Sequence, residues 1–383
     1  MKKAVSIILS LIMFFSLSIV SSAEEKLPVT VNAKSAVLME QSTGRVLMSK
    51  NMNEKLYPAS VTKIMSMLLV TEAIDNNKIS LEDKVTTSSV AAGKGGSQIW
   101  LKEGEVMTVN ELLKATAVYS ANDACTALGE LVAGSDEGFV AMMNERAAQL
   151  GMKNTHFDNC TGLDDETTTH LTTAYDIALM SRELMKHDLI KKYTTIWMDS
   201  LRNGKTELVN TNKLVRFYEG ATGLKTGTTS KAGCCVSATA TREGTSLIAV
   251  VLGADNSKER FEGAKAMLNW GFANYSTVTP SLDKKLITNV KILKGEEEYL
   301  TPQVPKVASV LVPKGREREI TQDISLPTEV EAPVEANQVL GTVTVKLDGK
   351  AIGKYNLTAP KFVERLTFPV VFMRMLGCLC QKK

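Results

Sequence analysis

The sequence predicts a mixed α/β domain over residues 28–275, followed by a small all-β domain over residues 281–358. Three observations carry this expectation. The chain has 383 residues, 44% hydrophobic and 23% charged, which is ordinary globular composition with length enough for two cores. Up to Tyr275, strand-like runs and long helical patterns alternate and close on a helix. From Ser281 the texture turns to short β-rich runs, punctuated by Pro302, Pro305, Pro313, Pro327 and Pro333.

The elements follow in chain order. "MKK" is basic, Ala4 to Val20 is apolar, and Ser21 and Ala23 are small, the pattern of a Sec-type signal peptide over residues 1–23, cut after Ala23. An uncleaved anchor is the alternative. Without Lys2 and Lys3, 43 basic residues face 42 acidic ones, a net charge of +1. That balance offers no electrostatic case for nucleic acid. Residues 35–48 read as a hairpin turning at Ser42, Thr43 and Gly44. From Ser60 onward, Ile64, Met67, Leu68 and Thr71 recur at helical spacing, as far as Asn76 and Asn77. Residues 110–132, 136–150 and 172–187 are also helical in pattern, the last with Thr172 or Thr173 as cap. "TGLKTGTT", "CCVSATA" and "SLIAVVLG" read as strands, and "ERFEGAKAMLNWGFANY" as the closing helix. In the β-rich part, Asp348-Gly349 marks a hairpin turn. The tail, residues 360–383, holds an apolar stretch from Pro369 to Cys380, too short to span a bilayer. With Arg374, Lys382 and Lys383 it suits a helix lying on a membrane surface; packing on its own protein is the alternative.

Cysteine usage is not that of a disulfide scaffold. The six are Cys125, Cys160, Cys234, Cys235, Cys378 and Cys380. In a strand, Cys234 and Cys235 point to opposite faces, and a bridge from Cys160 to either stays open. His156, His170 and His187 stand apart and no HExxH or CxxC occurs, so neither a metal nor another cofactor is expected.

Chemistry concentrates in three short motifs. Ser60 and Lys63 form an SxxK at the start of an apolar-periodic helix, where i and i+3 share a face. The free N–H groups of a helix start favour an alkoxide and an oxyanion. One or two SxxK matches arise by chance in roughly this length of chain. A second one, Ser281 to Lys284, has no helix signal and reads as a decoy. Ser120-Ala121-Asn122 is an SxN; Ser49-Lys50-Asn51 also matches and reads as a hairpin end. Lys225-Thr226-Gly227 is the sole KTG. The three in order carry more weight than any one of them.

In that order the chain is similar to the serine penicillin-recognising enzymes. More closely, it resembles the low-molecular-mass D-alanyl-D-alanine carboxypeptidases of the penicillin-binding protein 5 type. The likeness runs through "YPASVTKIM", "GSQIWLKEGE", "SANDAC", "LGMKNTHF", "TGLD", "GLKTGTTSKAG" and "LNWGF", into the β-rich part and the tail. It implies a β-lactamase/transpeptidase-like domain, an antiparallel sheet with helices on both faces and a helical subdomain, plus a small all-β C-terminal domain. It also implies an exported enzyme on the outer face of the cytoplasmic membrane that removes the terminal D-alanine of peptidoglycan stem peptides. β-Lactams would be its covalent inhibitors.

The resemblance assigns roles. Ser60 would attack, and Lys63 would take its proton, which requires a lowered pKa from burial or from a second cation such as Lys225. Ser120 would relay a proton to the leaving amine, and Asn122 would bond the substrate amide. Lys225, Thr226, Gly227 and Arg260 would hold the terminal carboxylate. The backbone N–H groups of Ser60 and Thr228 would form the oxyanion hole. The chain departs from relatives at Thr228, where some carry histidine, at Cys160, where proline is expected, and at Cys234 and Cys235. A β-lactamase shares the motifs, but the deacylating glutamate loop is not found; Glu166 and Glu183 lie in other contexts. An inert wall-binding protein is the rival from another class.

Overall fold

The computed structural model describes residues 27–165, 167–304 and 307–380. Residues 1–23, expected as a signal peptide, Glu166, Pro305, Lys382 and Lys383 lie outside the described residues.

Strands β1 (Ser35–Glu40) and β2 (Val46–Lys50) form the first hairpin. Its turn is fixed by the buried Glu40 carboxylate, which accepts from both the backbone and the hydroxyls of Ser42 and Thr43. Helices α1 (Lys63–Asp75), α2 (Val109–Lys114), α3 (Asn122–Ala133), α4 (Asp136–Gln149) and α5 (Ala174–Leu184) follow. Strands β3 (Ala221–Thr229), β4 (Gly233–Arg242) and β5 (Thr245–Ala254) then lead into helix α6 (Ser257–Asn274). The five strands make one antiparallel sheet in the order β2-β1-β5-β4-β3.

Both sheet faces are covered, which explains why β1 and β5 read as continuous apolar runs rather than alternating ones. Val37, Met39, Ile248, Val250 and Leu252 face the layer containing α1 and α5. Ala36, Leu38, Leu247, Ala249 and Val251 face Phe261, Ala264, Met267 and Leu268 of α6. Truncating a side chain here, Leu38→Ala for example, costs about 2–5 kcal/mol by the usual cavity rule.

The helical pattern read over 110–132 is broken in the structure. Thr108 and Glu111 form a capping box at the start of α2, a signal present in "TVNE". After Lys114 the chain makes a π turn over Ala115–Tyr119, and Ser120 adopts a left-handed conformation (φ 67°) before α3 begins at Asn122. A π turn keeps its apolar residues buried, so the side-chain period does not register the break. Helix α5 begins at Ala174 with Thr173 as its cap. Cys234 and Cys235 lie on opposite faces of the sheet. The bridge left open from Cys160 is absent: Cys125, Cys160, Cys234 and Cys235 are free thiols. Cys160 packs against Thr126 of α3.

Beyond α6, Tyr275–Val278 pairs with Val310–Pro313. Val290–Leu293 lies between Tyr299–Leu300 and Glu329–Glu331, and Val339–Leu347 between Thr321–Ser325 and Lys350–Thr358. The hairpin at Asp348-Gly349 has φ of 51° and 71°, as a type I′ turn requires. The last helix, α7 (Phe368–Cys380), exposes Phe368, Phe372, Met373 and Met375.

Candidate active site

Ser60 is not on an α-helix. It sits in a 3-10 turn, Ala59–Thr62, that feeds α1 at Lys63. In such a turn residues i and i+3 eclipse, which places Lys63 directly over Ser60: Nζ lies 3.0 Å from Ser60 Oγ. The turn is gripped from two sides by glycines. A Cβ at Gly227 would lie 2.7 Å from Ser60 N, and one at Gly162, which also has φ of +86°, would lie 1.9 Å from the Ala59 carbonyl oxygen. Only hydrogen fits at either place.

Lys63 is fully buried, and its ammonium donates to the Thr161 carbonyl at 2.8 Å as well as to Ser60. Burial lowers its pKa to about 8, against the raising influence of Cys125, Cys160 and Asp123. The sequence reading offers Lys225 as a possible depressing cation; burial proves to be the dominant cause. Lys225 is itself buried, and desolvation first, then Lys63 and Arg260, holds it well below the lysine range. Repulsion between two lysines is mutual, so charge on either one disfavours charge on the other.

The other motifs meet this pair through the helical side and β3. Ser120 is 4% exposed and its Oγ has no protein partner. The Asn122 amide donates to the Gly95 carbonyl at 2.7 Å, while its Oδ1 has no protein partner. One turn on, Cys125 Sγ reaches the Cys160 carbonyl at 3.4 Å, next to the carbonyl that receives Lys63. Thr211 joins the SxN segment to β3: its N–H donates to Val118, and its hydroxyl accepts from Thr226 Oγ1 at 2.7 Å. Lys225 Nζ donates to the Thr226 carbonyl. Arg260 lies behind the strand, with Nη1 donating to the Gly227 carbonyl, Thr228 Oγ1 and the Cys235 carbonyl. Burial lowers its pKa somewhat from the ordinary arginine value. The structure thus gathers a hydroxyl, an amine in hydrogen-bond reach of it, two unpartnered polar groups and a cationic strand edge, as acyl transfer requires.

The two decoys stand elsewhere. Ser281 is exposed, with its carbonyl bonded to Gln322, and Asn51 closes the end of β2 by bonding to Lys34. Glu183 pairs with Arg146 and Lys186 on α5.

A match to the D-alanyl-D-alanine carboxypeptidase family, peptidase S11, spans residues 20–256. The chain belongs to that family. A second match, to the C-terminal domain of penicillin-binding protein 5, spans residues 275–365 of the carboxypeptidase. It is 42% identical over 349 residues to D-alanyl-D-alanine carboxypeptidase DacF of Bacillus subtilis, covering 90% of this chain and 89% of that protein. It is 35% identical to DacC of Escherichia coli, covering 88% and 85%. Penicillin-binding protein 5 from Haemophilus influenzae superposes with a TM-score of 0.78 at 30% identity, over 89% of this chain and all of that one. Penicillin-binding protein D2 from Listeria monocytogenes, solved in an ampicillin-bound form, matches with a TM-score of 0.59 at 30% identity, over 64% of this chain and all of that one.

The carboxypeptidase also uses residues that the motifs do not mark. His170 is fully buried; its Nδ1 accepts from the Asp158 N–H, so its Nε2 carries the proton, 2.8 Å from Thr62 Oγ1. Burial lowers the imidazole pKa to about 4, so it stays neutral while bracing the Ser60 turn. Asp123 is buried and accepts from the N–H groups of Ile99 and Leu101, tying that loop to α3. No local pattern points to His170 or Thr211. Asp123 sits inside "SANDAC", where its place next to Asn122 is a signal that could have been followed.

Proposed function

We propose that this D-alanyl-D-alanine carboxypeptidase hydrolyses stem peptides through an acyl-enzyme on Ser60. The observation that carries the reading is the 3.0 Å approach of buried Lys63 Nζ to Ser60 Oγ. Lys63, neutral, takes the Ser60 proton as Oγ attacks the carbonyl of the penultimate D-alanine. The N–H groups of Ser60 and Thr228 receive the oxyanion, and the close seating of Gly227 on the Ser60 turn supports that pairing. Ser120 relays the proton to the departing amine of D-alanine, and Asn122 Oδ1 accepts from the substrate amide. The terminal carboxylate binds Lys225, Thr226 and Gly227, with Arg260 adding charge from behind. A substrate carboxylate beside Lys225 favours its charged form, and that charge in turn favours neutral Lys63. Water then cleaves the ester. β-Lactams acylate the same oxygen. Ser60→Ala is the test: release of D-alanine from a pentapeptide falls by more than a thousandfold, and activity within tenfold of wild type refutes the assignment.

The cellular setting is part of the same proposal. Residues 1–23 direct export to the cell-wall space, 28–275 form the catalytic domain and 281–358 the β-rich domain; of the tail expected over 360–383, Val363 is buried against Val334 and Leu366 bonds to Lys294, so 361–366 belong to the β-rich domain and the helix from Phe368 rests on the membrane surface. Among the described residues no helix is long and apolar enough to cross a membrane. The exposed apolar side chains of α7, with Phe368 81% exposed, support surface attachment.

A further inference from the structure

We infer that Trp100 and the groove beside it bind the amino-sugar glycan to which the stem peptide is attached, so that the enzyme prefers glycan-linked stems to free peptides. This rests on the reading of Ser60 as the stem-peptide nucleophile. The turn at Ile99–Leu101 presents one side chain. Ile99 and Leu101 are buried and both backbone N–H groups bond to the buried Asp123 carboxylate, while Arg202 Nη1 holds the Ile99 carbonyl at 2.8 Å. Trp100 between them is 74% exposed and has φ of +59°, a conformation that bulky residues avoid. A tethered, unfavourable backbone holding a large aromatic ring in solvent is a display, since packing gains nothing from it.

The ring borders a groove of about 770 Å³, also lined by Lys102, Glu103, Arg202, Lys205 and Thr206. That volume suits a small-molecule or sugar ligand. Two short stretches of chain lead from the groove to the catalytic residues. In one, Ser97 accepts from the Asn122 N–H at 2.7 Å, and Trp100 is three residues further, about 11 Å at most. In the other, the chain from Thr206 reaches Thr211, whose hydroxyl accepts from Thr226. The groove thus lies within reach of a substrate whose scissile bond is at Ser60. Stem peptides carry sugar at their far end. The indole face suits the C–H face of a pyranose ring, with hydroxyl and N-acetyl groups left to bond to the lysines and to Glu103. Arg202 is paired with Glu105, so Lys102 and Lys205 against Glu103 leave the rim slightly cationic, which tolerates stem carboxylates.

The test compares kcat/KM for a disaccharide-pentapeptide and the same free pentapeptide, in wild type and Trp100→Ala, with penicillin acylation of Ser60 measured in both. Wild type should favour the glycan-linked substrate by roughly tenfold, through KM, and Trp100→Ala should bring the ratio to about one. A wild-type ratio near one, or a ratio that Trp100→Ala leaves unchanged, overturns the inference. Failure of penicillin to acylate Ser60 in wild type instead overturns the reading beneath it.

Discussion

Gly227→Ala perturbs the site by one methyl group. The added Cβ would lie 2.7 Å from Ser60 N and 2.9 Å from both Ala59 Cβ and the Pro58 carbonyl oxygen. None of these is the end of a flexible side chain, so β3 and the Ser60 turn must part by roughly 0.5 Å or more. Overpacking of this kind costs about 1–3 kcal/mol of stability. The kinetic cost is larger than the shift suggests, because the two elements that separate carry the proposed nucleophile and both oxyanion donors. A misplacement near 1 Å costs about 100-fold in rate, so acylation should slow by roughly 30- to 100-fold. The assay is the second-order rate of acylation by a fluorescent penicillin, with the folded fraction fixed by thermal denaturation. A rate within threefold of wild type at equal folded fraction would show that this contact does not set the geometry of attack.

The remaining predictions concern charge, stability and the tail. With Lys63 at about 8, its neutral fraction is about one-tenth at pH 7 and one-half at pH 8, so acylation should rise about fivefold over that interval and level off above about pH 9; a rate flat from pH 6.5 to 9 excludes Lys63 as base. His170 has a depressed pKa, about 4 against 6.5 unfolded. Its contribution to stability is therefore present above about pH 6.5 and is lost as pH falls toward 4, by about 2 kcal/mol at pH 5. Urea unfolding at pH 7.5 and 5 should show this in wild type and not in His170→Gln; equal pH dependence in both contradicts it. Deleting the chain after Thr367, which removes the exposed helix and keeps the buried Val363 and the Leu366 contact to Lys294, should release the protein from membrane vesicles while D-alanine release stays within twofold, and retention on vesicles refutes the tail assignment.

Particular residues show how far the sequence could be read. The apolar runs of β1 and β5 and the period of α4 and α5 reflect burial by sheet faces and helix stripes, so they are visible in composition. The break at Ser120 is not, because a π turn preserves burial and the left-handed residue is a serine rather than a glycine. The SxxK, SxN and KTG spacings are visible as motifs, but the total burial of Lys63 depends on Thr161 and α3, which come from 60 to 100 residues away. His170 and Thr211 act only through tertiary contacts to Thr62 and Thr226. The display of Trp100 depends on Asp123 and Arg202, neither of which its local sequence announces.

Mass spectrometry of the penicillin-labelled protein locates the acylated residue. One adduct is expected, on the peptide containing Ser60, absent in Ser60→Ala and persisting after free penicillin is removed. An adduct on another residue, labelling of Ser60→Ala, or loss of the adduct as fast as it forms without release of D-alanine from peptides would contradict that expectation.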